Sequence, residues 1–313
     1  MLLNLAHGQD SQTFRNQLVI TAENDNFSPP FYDRYYTNGF VISYSRALDK
    51  TLLWLDDRPG RDEKSILQVD FNQQIYTPIT ITSEDISDFD RPYAGYLFLK
   101  TTYRSFWQQK HNLNLGVNLG VIGPKAGGRK VQEWWHDVFS LPEPKGWQYQ
   151  IRNEPVINFE MQYRRSLVTS DAFNIIPMIK SNLGTAFNNF SAGATMMVGQ
   201  ANRFDHSSMT GSLINSGSQQ FSVTNMNETP ESYLFFGFTQ TLVLHNTLIE
   251  GSLFGNTESV HTEEANPSLS RVTVGYAHNR AAISWKFTFH HLSTEVDGGN
   301  DHAYASISLG FRF

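Results

Sequence analysis

The chain has 313 residues, of which 40% are hydrophobic and 13% aromatic, and its 24 Lys and Arg against 30 Asp and Glu give a formal net charge of −6. No stretch approaches the roughly 20 apolar residues of a membrane-spanning helix, which excludes a helical membrane protein, and the acidic balance argues against a general nucleic-acid binder, because such proteins usually carry a basic surface. The absence of cysteine excludes disulfides, thiolate catalysis and cysteine-ligated metals.

The first residues, Met1 to Gly8, combine a short apolar run with small residues but lack a basic region and a full apolar core. Such a segment resembles the end of a signal peptide more than a complete one. We therefore expect residues 1–12 to be a signal-peptide remnant or an N-terminal extension, and residues 13–313 to form a single domain.

A two-residue hydrophobic period runs along the rest of the chain. From Asn112 to Val121, Leu and Val occupy the odd positions, whereas Asn and Gly occupy the even ones. The alternation recurs in Ile283–His290 and in the last eight residues, Ser306–Phe313, which end on an aromatic residue. Because alternate side chains of a strand point to opposite faces, each segment has one apolar and one polar face.

Turn residues divide the chain into about twelve segments of this kind. They are 14–26, 36–48, 65–77, 94–107, 111–122, 149–166, 171–186, 188–201, 230–246, 267–278, 279–294 and 302–313. Their length is close to the roughly 9 to 11 residues that a tilted strand needs to cross a bilayer and exceeds the usual 5 or 6. We predict an all-β fold, a transmembrane antiparallel up-and-down β-barrel of about 12 strands in a bacterial outer membrane. The alternative is a soluble β-sandwich or lipocalin-like barrel with its apolar faces inward.

With an even strand count, the loops that follow odd strands lie together on the extracellular side: 27–35, 78–93, 123–148, 187, 247–266 and 295–301. The third of them contains a helical stripe at i, i+3, i+4, i+7 and i+8, formed by Val131, Trp134, Trp135, Val138 and Phe139. We expect a short helix against or in the barrel mouth, with His136 off the centre of the stripe. Segments 49–64 and 202–229 fall on the other side and are longer than the short turns expected there.

Four polar clusters map to the extracellular side: Asn24–Asn26, Asp33–Gly39, Asp90–Gly95 and His136. Singly, each is also explained as a turn or a solvated loop, but stability alone does not predict that they gather on one side. The chain has no G-x-S-x-G nucleophile motif. A histidine that deprotonates water, together with a hard cation held by oxygen ligands, suffices for ester hydrolysis. His136, Asp25 and Thr37 are groups of the right kind, and face parity places Thr37 on the lumen side.

The sequence also resembles a known family, the outer-membrane lipid A 3′-O-deacylases. The motifs that carry the resemblance are Ala22–Asn26, Asp33–Arg34 with Tyr36–Gly39, Gly120–Gly128, Val131–Gln132, His136 and Trp147–Ile151. They follow in the family's order, and the Gly-Val-Ile-Gly-Pro-x-Ala-Gly-Gly stretch followed by a histidine is the most specific. The resemblance implies a twelve-stranded barrel that removes the 3′-linked acyloxyacyl group of lipid A with Ca²⁺ as cofactor.

The resemblance also implies site residues. The catalytic set falls on Asn24, Asp25, Thr37 and His136, with His136 as the general base. Asp25 and Thr37 are the implied cation ligands; the family's glutamate aligns on Pro142, so that the adjacent Glu143 is the expected replacement.

The family's basic pair in the second outer loop aligns on Ser83 and Glu84. Other cations must then bind the phosphates of lipid A, and Arg34, Arg91 and Lys125 are the candidates, with Arg129 and Lys130 further options. The expected partners are lipopolysaccharide and the outer membrane, without nucleic acid, and the expected state is a monomer.

Two other functions remain open. A phospholipase or another lipid esterase would share the membrane-facing site but not the substrate. A non-catalytic barrel or channel would conduct ions without hydrolysis, although about twelve strands enclose a narrower bore than the 16 to 18 strands of porins.

Overall fold

Hydrogen bonds between the first and the last strand close the chain into a barrel. The computed structural model describes residues 14–29, 33–49, 63–170, 172–216, 230–255 and 259–313, and its strands form one antiparallel sheet. The strands are β1 (Asn16–Asn24), β2 (Tyr35–Ala47), β3 (Glu63–Thr77), β4 (Ala94–Trp107), β5 (His111–Ile122), β6 (Glu154–Arg165), β7 (Val168–Ser170), β8 (Phe173–Gly184), β9 (Phe187–Gln200), β10 (Glu231–Asn246), β11 (Ser268–Arg280), β12 (Ile283–Leu292) and β13 (His302–Arg312).

Closure comes from the pairing of β1 with β13 and of β6 with β8. The three-residue β7 pairs only with β8 and leaves twelve long strands in the ring. The predicted up-and-down barrel is therefore confirmed. The sixth strand begins at Glu154 rather than at residue 149, because Trp147–Tyr149 form a 3₁₀ turn. Residues 1–13 lie outside the described residues, so the expected N-terminal extension stays a prediction.

The large apolar side chains of the strands lie on the outer surface of the barrel. On β5, Asn112, Asn114 and Asn118 point inward and are buried, whereas the outward Leu119 is 55% exposed. The same outward exposure marks large apolar side chains on the other long strands. This arrangement suits a lipid exterior, and the soluble alternative, which required inward apolar faces, is wrong. In the described ranges no helix is long and apolar enough to span a membrane.

Two ends of the barrel can be distinguished. The upper rim carries the connections 25–34, 78–93, 123–153, 185–186, 247–267 and 293–301, and the lower rim carries the first and last described residues. Two helices lie at the upper rim, α1 (Gly128–Phe139) and the short α2 (Thr247–Glu250). The helix expected from the apolar stripe is therefore confirmed, and all four polar clusters fall at this rim or on the strand ends that border it.

Residues 201–216, which we call the plug, occupy the lower end of the bore. Phe204 and Ile214 of the plug pack in one apolar cluster with inward side chains such as Ile66 and Phe106. Basic side chains of four strands donate to backbone carbonyls of the plug: Lys64, Arg104, Arg164 and Arg312. The plug explains why the connection after β9 is long, whereas most of the long connection after β2, residues 50–62, lies outside the described residues.

Aromatic rings fill the bore near the upper rim. Tyr36 contacts Tyr76 and Tyr304, with ring centroids 5.2 and 4.7 Å apart, and Leu292 completes the cluster. The bore is thus occupied by tyrosines above and by the plug below, which disfavours ion conduction.

Two glycines with similar backbone angles should respond differently to replacement by alanine, because one of them lies in the plug. Gly211 has a φ of 67°, and a Cβ added there would lie 1.9 Å from Arg104 Nη1. Gly298 has a similar φ of 71°, but a Cβ added there would have no neighbouring atom within 4 Å. Both Gly→Ala changes carry backbone strain of about 1–3 kcal/mol, but only Gly211→Ala also displaces the arginine that holds the plug. We expect Gly211→Ala to lower the melting temperature more than Gly298→Ala and to make residues 201–216 protease-sensitive. Equal effects of the two changes would contradict the contact.

Candidate active site at the upper rim

The end of β1 places Asn24 and Asp25 in different roles. Asn24 caps the 3₁₀ turn Asp25–Phe27, since its Oδ1 accepts a hydrogen bond from the backbone N–H of Asn26 over 2.7 Å. The turn buries Asp25 and carries its carboxylate away from the alternation of the strand. Capping is the contact that the structure shows for the Asn24 side chain.

Asp25 is a buried carboxylate with few partners. Its Oδ2 accepts from the backbone N–H of Arg34 over 2.8 Å, and its Oδ1 accepts from the hydroxyl of Thr37 over 3.4 Å. In the described part of the chain it pairs with no cationic side chain. Burial raises the pKa of Asp25 well above its usual value, and the negative charge of Asp33 raises it further.

A β-bulge aims the hydroxyl of Thr37. Tyr36 pairs with Tyr76 and Asn38 with Ile75, so that Thr37 is an extra residue without a partner on β3. Bulges re-aim side chains next to active sites, and here Thr37 donates to the Asp33 carboxylate in addition to its contact with Asp25. The lumen position expected for Thr37 from face parity is wrong, because the bulge interrupts the alternation.

The helix α1 carries the histidine into the same place. It begins at Gly128, where a Cβ would lie 2.9 Å from the Cα of Gly95 on β4, so the two glycines allow the helix to contact the barrel wall. The buried face of α1 is the one with Gln132 and His136, whereas Trp134, Val138 and Phe139 are 59%, 54% and 55% exposed. A helix of a soluble protein usually buries its apolar side chains and exposes its polar ones. Here the polar Gln132 and His136 are buried while three large apolar side chains of the stripe are exposed, as expected for side chains that meet lipid.

Both ring nitrogens of His136 contact oxygen acceptors. Nε2 lies 2.9 Å from Oδ2 of Asp33, and Nδ1 donates to the carbonyl of Pro142 just beyond the end of α1. Burial lowers the pKa of His136, but the hydrogen bonds to Asp33 and Pro142 more than offset this effect, so the pKa lies above its usual value. The imidazole is held in orientation from both sides.

Gln132, one turn before His136, has a fixed amide orientation. The indole N–H of Trp147 donates to Gln132 Oε1 over 2.9 Å, and an indole can only donate. The other arm of the amide must therefore be Nε2, which is buried without a hydrogen-bond partner. A buried donor without a partner is uncommon and suits a residue that meets a ligand.

These residues share one small cavity. It has a volume of about 10 Å³ and is lined by Asn24, Asn26, Asp33, Thr37, Asn38, Ile75, Val131, Gln132, Trp135 and His136. A wider cleft of about 530 Å³ also touches Asn26 and Asp33, and it is lined by Arg34, Ile79, Thr80, Ile81, Thr82, Leu141 and Pro142. The structure thus brings Asn24, Asp25, Thr37 and His136 together, as predicted, next to a partly apolar cleft.

The three predicted phosphate-binding cations lie in different surroundings. Arg34 lines the wide cleft, and its guanidinium donates to the carbonyl of Asp301. Lys125 is exposed on the turn before α1 and does not line the cleft. Arg91 is fully buried, forms an ion pair of 2.7 Å with Glu295 and does not line the wide cleft.

The residues of the predicted cation site gather only in part. Asp25 and Thr37 are in contact, but Glu143 is exposed on the segment after α1. In the described ranges, no three His, Asp or Glu side chains converge in a way that could hold a metal ion. The buried Asp25 and the hydroxyl of Thr37, with Asp33 on that same hydroxyl, are oxygen donors that fit a hard cation. Glu143 makes no hydrogen bond or ion pair with them in the described part of the chain.

Sequence reasoning gave no role to Asp33 and Gln132. Asp33 lies in a cluster that the sequence singled out, but only the fold shows that it contacts His136. Gln132 stands at i−4 from His136, a spacing that puts both on one helix face and that could have identified it.

Comparisons with known proteins agree with this fold. A family described as "Outer membrane protein LpxR" matches residues 1–313, and no curated protein matches the chain. Among solved structures, LpxR from Salmonella typhimurium is 23% identical, with 95% of this chain and 100% of that chain covered and a TM-score of 0.74. An outer membrane channel from Pseudomonas putida F1 is 9% identical, with full coverage of both chains and a TM-score of 0.48. The β-domain of the Bordetella autotransporter BrkA is 8% identical, with 96% and 98% covered and a TM-score of 0.44.

The buried charge of Asp25 predicts a cost to stability. With chelator present, Asp25→Asn should melt at a higher temperature than the parent protein at about pH 8, because the amide removes a charge that burial and Asp33 disfavour. Because the pKa of Asp25 is raised in the folded state, the carboxylate of the parent protein is protonated as the pH falls. Protonation removes the buried charge, and the parent protein regains the stability that this charge cost. The difference, followed by circular dichroism in detergent, should therefore shrink toward about pH 5.

Asn24→Ala is the control, because it removes a cap and no charge, at a cost of about 0.5–2 kcal/mol that should be the same at both pH values. A lower melting temperature of Asp25→Asn at the higher pH would contradict the prediction.

Proposed function

This chain belongs to the LpxR family of outer membrane proteins, and we propose that it is a lipid A 3′-O-deacylase, an outer-membrane esterase that removes the 3′-linked acyloxyacyl group. The observation that carries the proposal is the buried, oriented His136 on α1, a helix that leaves Trp134, Val138 and Phe139 exposed. The family and the barrel place the protein in the outer membrane. The reaction and its substrate rest on the motifs described above and on the chemistry of the site.

His136 acts as the general base. Its Nδ1 must carry a proton, because the Pro142 carbonyl can only accept. With Asp33 also an acceptor at Nε2, the ring in this arrangement is the imidazolium. Loss of the Nε2 proton leaves a neutral imidazole, still fixed through Nδ1, whose Nε2 can take a proton from the attacking water. Such a base contributes about 10² to 10⁴-fold.

Gln132 donates to the oxygen of the ester carbonyl as negative charge develops there. Its Nε2 has no partner among the described residues and its Oε1 is held by Trp147, so the amide is preorganised and needs no rearrangement. A fixed donor of this kind is among the larger contributions to acyl transfer. Trp147 is then a positioning residue, because it acts through Gln132.

Calcium is the proposed cofactor. Asp25 and Thr37 would hold it, with Asp33 as a further oxygen donor, because a hard cation compensates the buried carboxylate that has no cationic partner. When bound, it would polarise the ester carbonyl as a Lewis acid. Glu143 would join only if the exposed segment after α1 moved toward Asp25.

The surroundings of the site suit a lipid substrate. Trp134, Val138 and Phe139 present an apolar face on α1, and the wide cleft beside Asp33 combines Ile79, Ile81 and other apolar side chains with Arg34. We take the upper rim to be extracellular, so that α1 lies at the level of the outer leaflet. An acyl chain would occupy the apolar part of the cleft, with its ester near His136 and an anionic group near Arg34.

A second candidate, an esterase for a less anionic lipid, is favoured by one observation. Glu84, at a position where members of the family can carry a basic residue, forms an ion pair of 3.1 Å with Lys145, so this position offers no cation to a lipid phosphate. Cleavage of phospholipid with lipid A left intact would identify this activity.

The primary test uses detergent-purified protein and hexa-acylated lipid A, with Ca²⁺ or with chelator, and reads the products by mass spectrometry. We expect loss of the 3′-acyloxyacyl mass only with Ca²⁺, and a fall of about 10² to 10⁴-fold in His136→Ala. His291→Ala, which removes an exposed histidine paired with Asp301, is the control and should retain activity. Full activity of folded His136→Ala would remove His136 from the mechanism, and unchanged lipid A under both conditions would overturn the proposed substrate.

Gln132→Leu should lower kcat by about 10² to 10³-fold with little change in KM, because the lost hydrogen bond forms mainly in the transition state. Trp147→Phe should lower kcat less, since the amide keeps its donor but loses its fixed orientation. A change confined to KM in both variants would assign Gln132 to substrate binding instead.

If the exposed apolar side chains of α1 contact lipid, a substitution there should affect hydrolysis of membrane lipid but not hydrolysis of a water-soluble ester. Replacing Val138 by Gln should reduce hydrolysis of lipid in vesicles and leave hydrolysis of a water-soluble short-chain ester unchanged, because Val138 is 54% exposed and does not line the catalytic cavity. Glu133→Gln on the same helix, which removes the partner of Arg129, is the control. Equal losses on both substrates would show that the apolar face serves folding rather than lipid contact.

A further inference from the structure

The barrel encloses a second polar cavity, away from the catalytic pocket. This cavity, which we call the chamber, has a volume of about 410 Å³ and lies above the plug, whose residues Ser208–Gly211 and Leu213 form its floor. Its walls are inward side chains of the strands. None of its lining residues lines the catalytic pocket or the wide cleft.

The charges that line the chamber do not balance. The cationic side chains are Lys100, Arg104, Arg164, Lys180 and Lys286, and the carboxylates are Asp70 and Glu160. Glu23 lies outside the chamber lining, accepts a hydrogen bond from Tyr36 and attracts Lys286 from a distance. Even with Glu23 included, the cations outnumber the carboxylates. The chain as a whole is acidic, with a net charge of −6, so the positive chamber does not follow from its composition.

Two of the lysines share one carboxylate. Glu160 forms ion pairs with Lys100 and Lys180, at 2.7 and 2.8 Å, and Asp70 accepts from Gln68 over 2.6 Å. Lys100 and Lys180 are therefore compensated only in part.

Three cations remain without a carboxylate in contact. Arg104 and Arg164 donate to plug carbonyls, and Arg164 also donates to the side-chain oxygen of Asn112. In the described part of the chain, Lys286 makes no hydrogen bond or ion pair, and it lies close enough to Arg104 and Arg164 to be repelled by both. Neutral carbonyls accept hydrogen bonds from both arginines but leave their charge in place, and in the described part of the chain Nε of Arg104 is buried without a partner.

An excess of positive charge inside a barrel that is surrounded by lipid is unfavourable unless an anion compensates it. We propose that the chamber binds a small multivalent oxyanion, of the class of inorganic phosphate, between Lys286, Arg104 and Arg164. Arginine and lysine are the side chains that bind phosphate oxygens in proteins, and about 410 Å³ accommodates such an anion with water. Bound there, the anion would link β4, β6 and β12 and compensate the charges that hold the plug.

The experiment measures binding of radiolabelled inorganic phosphate to the full-length protein in detergent by equilibrium dialysis, with chloride added to constant ionic strength. The parent protein should bind about one phosphate per chain, and its melting temperature should rise with phosphate concentration as mass action requires. Lys286→Gln should bind at least tenfold more weakly, and Lys286→Arg should retain binding. Lys110→Gln, which removes an exposed lysine from the turn between β4 and β5 at the lower rim, is the matched control and should bind like the parent protein.

The absence of saturable binding by the parent protein, or Lys286→Gln binding as tightly as the parent, would overturn the proposal. Because the measurement needs neither a lipid substrate nor Ca²⁺, its outcome is independent of the proposed esterase activity. If Lys286→Gln fails to fold, saturable binding by the parent protein and its competition by sulfate but not by chloride still decide the question.

Discussion

Closure of the β-sheet is the constraint on which the rest of this structure depends. In lipid, an unpaired backbone N–H or C=O has no water to bind, so the first strand must pair with the last, as β1 does with β13. Closure fixes the inward and outward alternation of every strand, and it therefore sends the apolar side chains to lipid and the Asn, Ser and charged side chains into the bore. It also decides which connections share a rim, and so which parts of the sequence can meet.

The proposed active site forms where this regularity ends. The turn after Asn24, the bulge at Thr37 and the helix α1 each leave the two-residue period. Together they bring Thr37 and His136 into contact with Asp33, and Asp25 into contact with Thr37. The helix packs closely on the barrel where Gly128 meets Gly95, and it buries Gln132 and His136 while Trp134, Val138 and Phe139 stay exposed. One helix therefore carries both the histidine of the proposed site and the exposed apolar side chains that we propose to meet lipid.

The bore shows how a narrow barrel accommodates charge. Tyrosines fill its upper end and the plug fills its lower end, while basic side chains bind the carbonyls of the plug. Carbonyl oxygens satisfy donors without neutralising them, and this leaves the positive chamber that we propose to hold an oxyanion.

The sequence by itself determined the barrel, its strands, the short helix and the rim on which the polar clusters gather, because all of these follow from local periodicity and from an even strand count. It also named His136, Asp25 and Thr37, through the resemblance of their motifs. Only the tertiary structure decided that Thr37 sits on a bulge, that Arg91 is buried against Glu295 and that Glu143 is exposed. It alone showed the contact of Asp33 with His136, the free donor of Gln132 and the plug inside the bore. These features depend on contacts between residues far apart in the chain, where no local pattern records the partner.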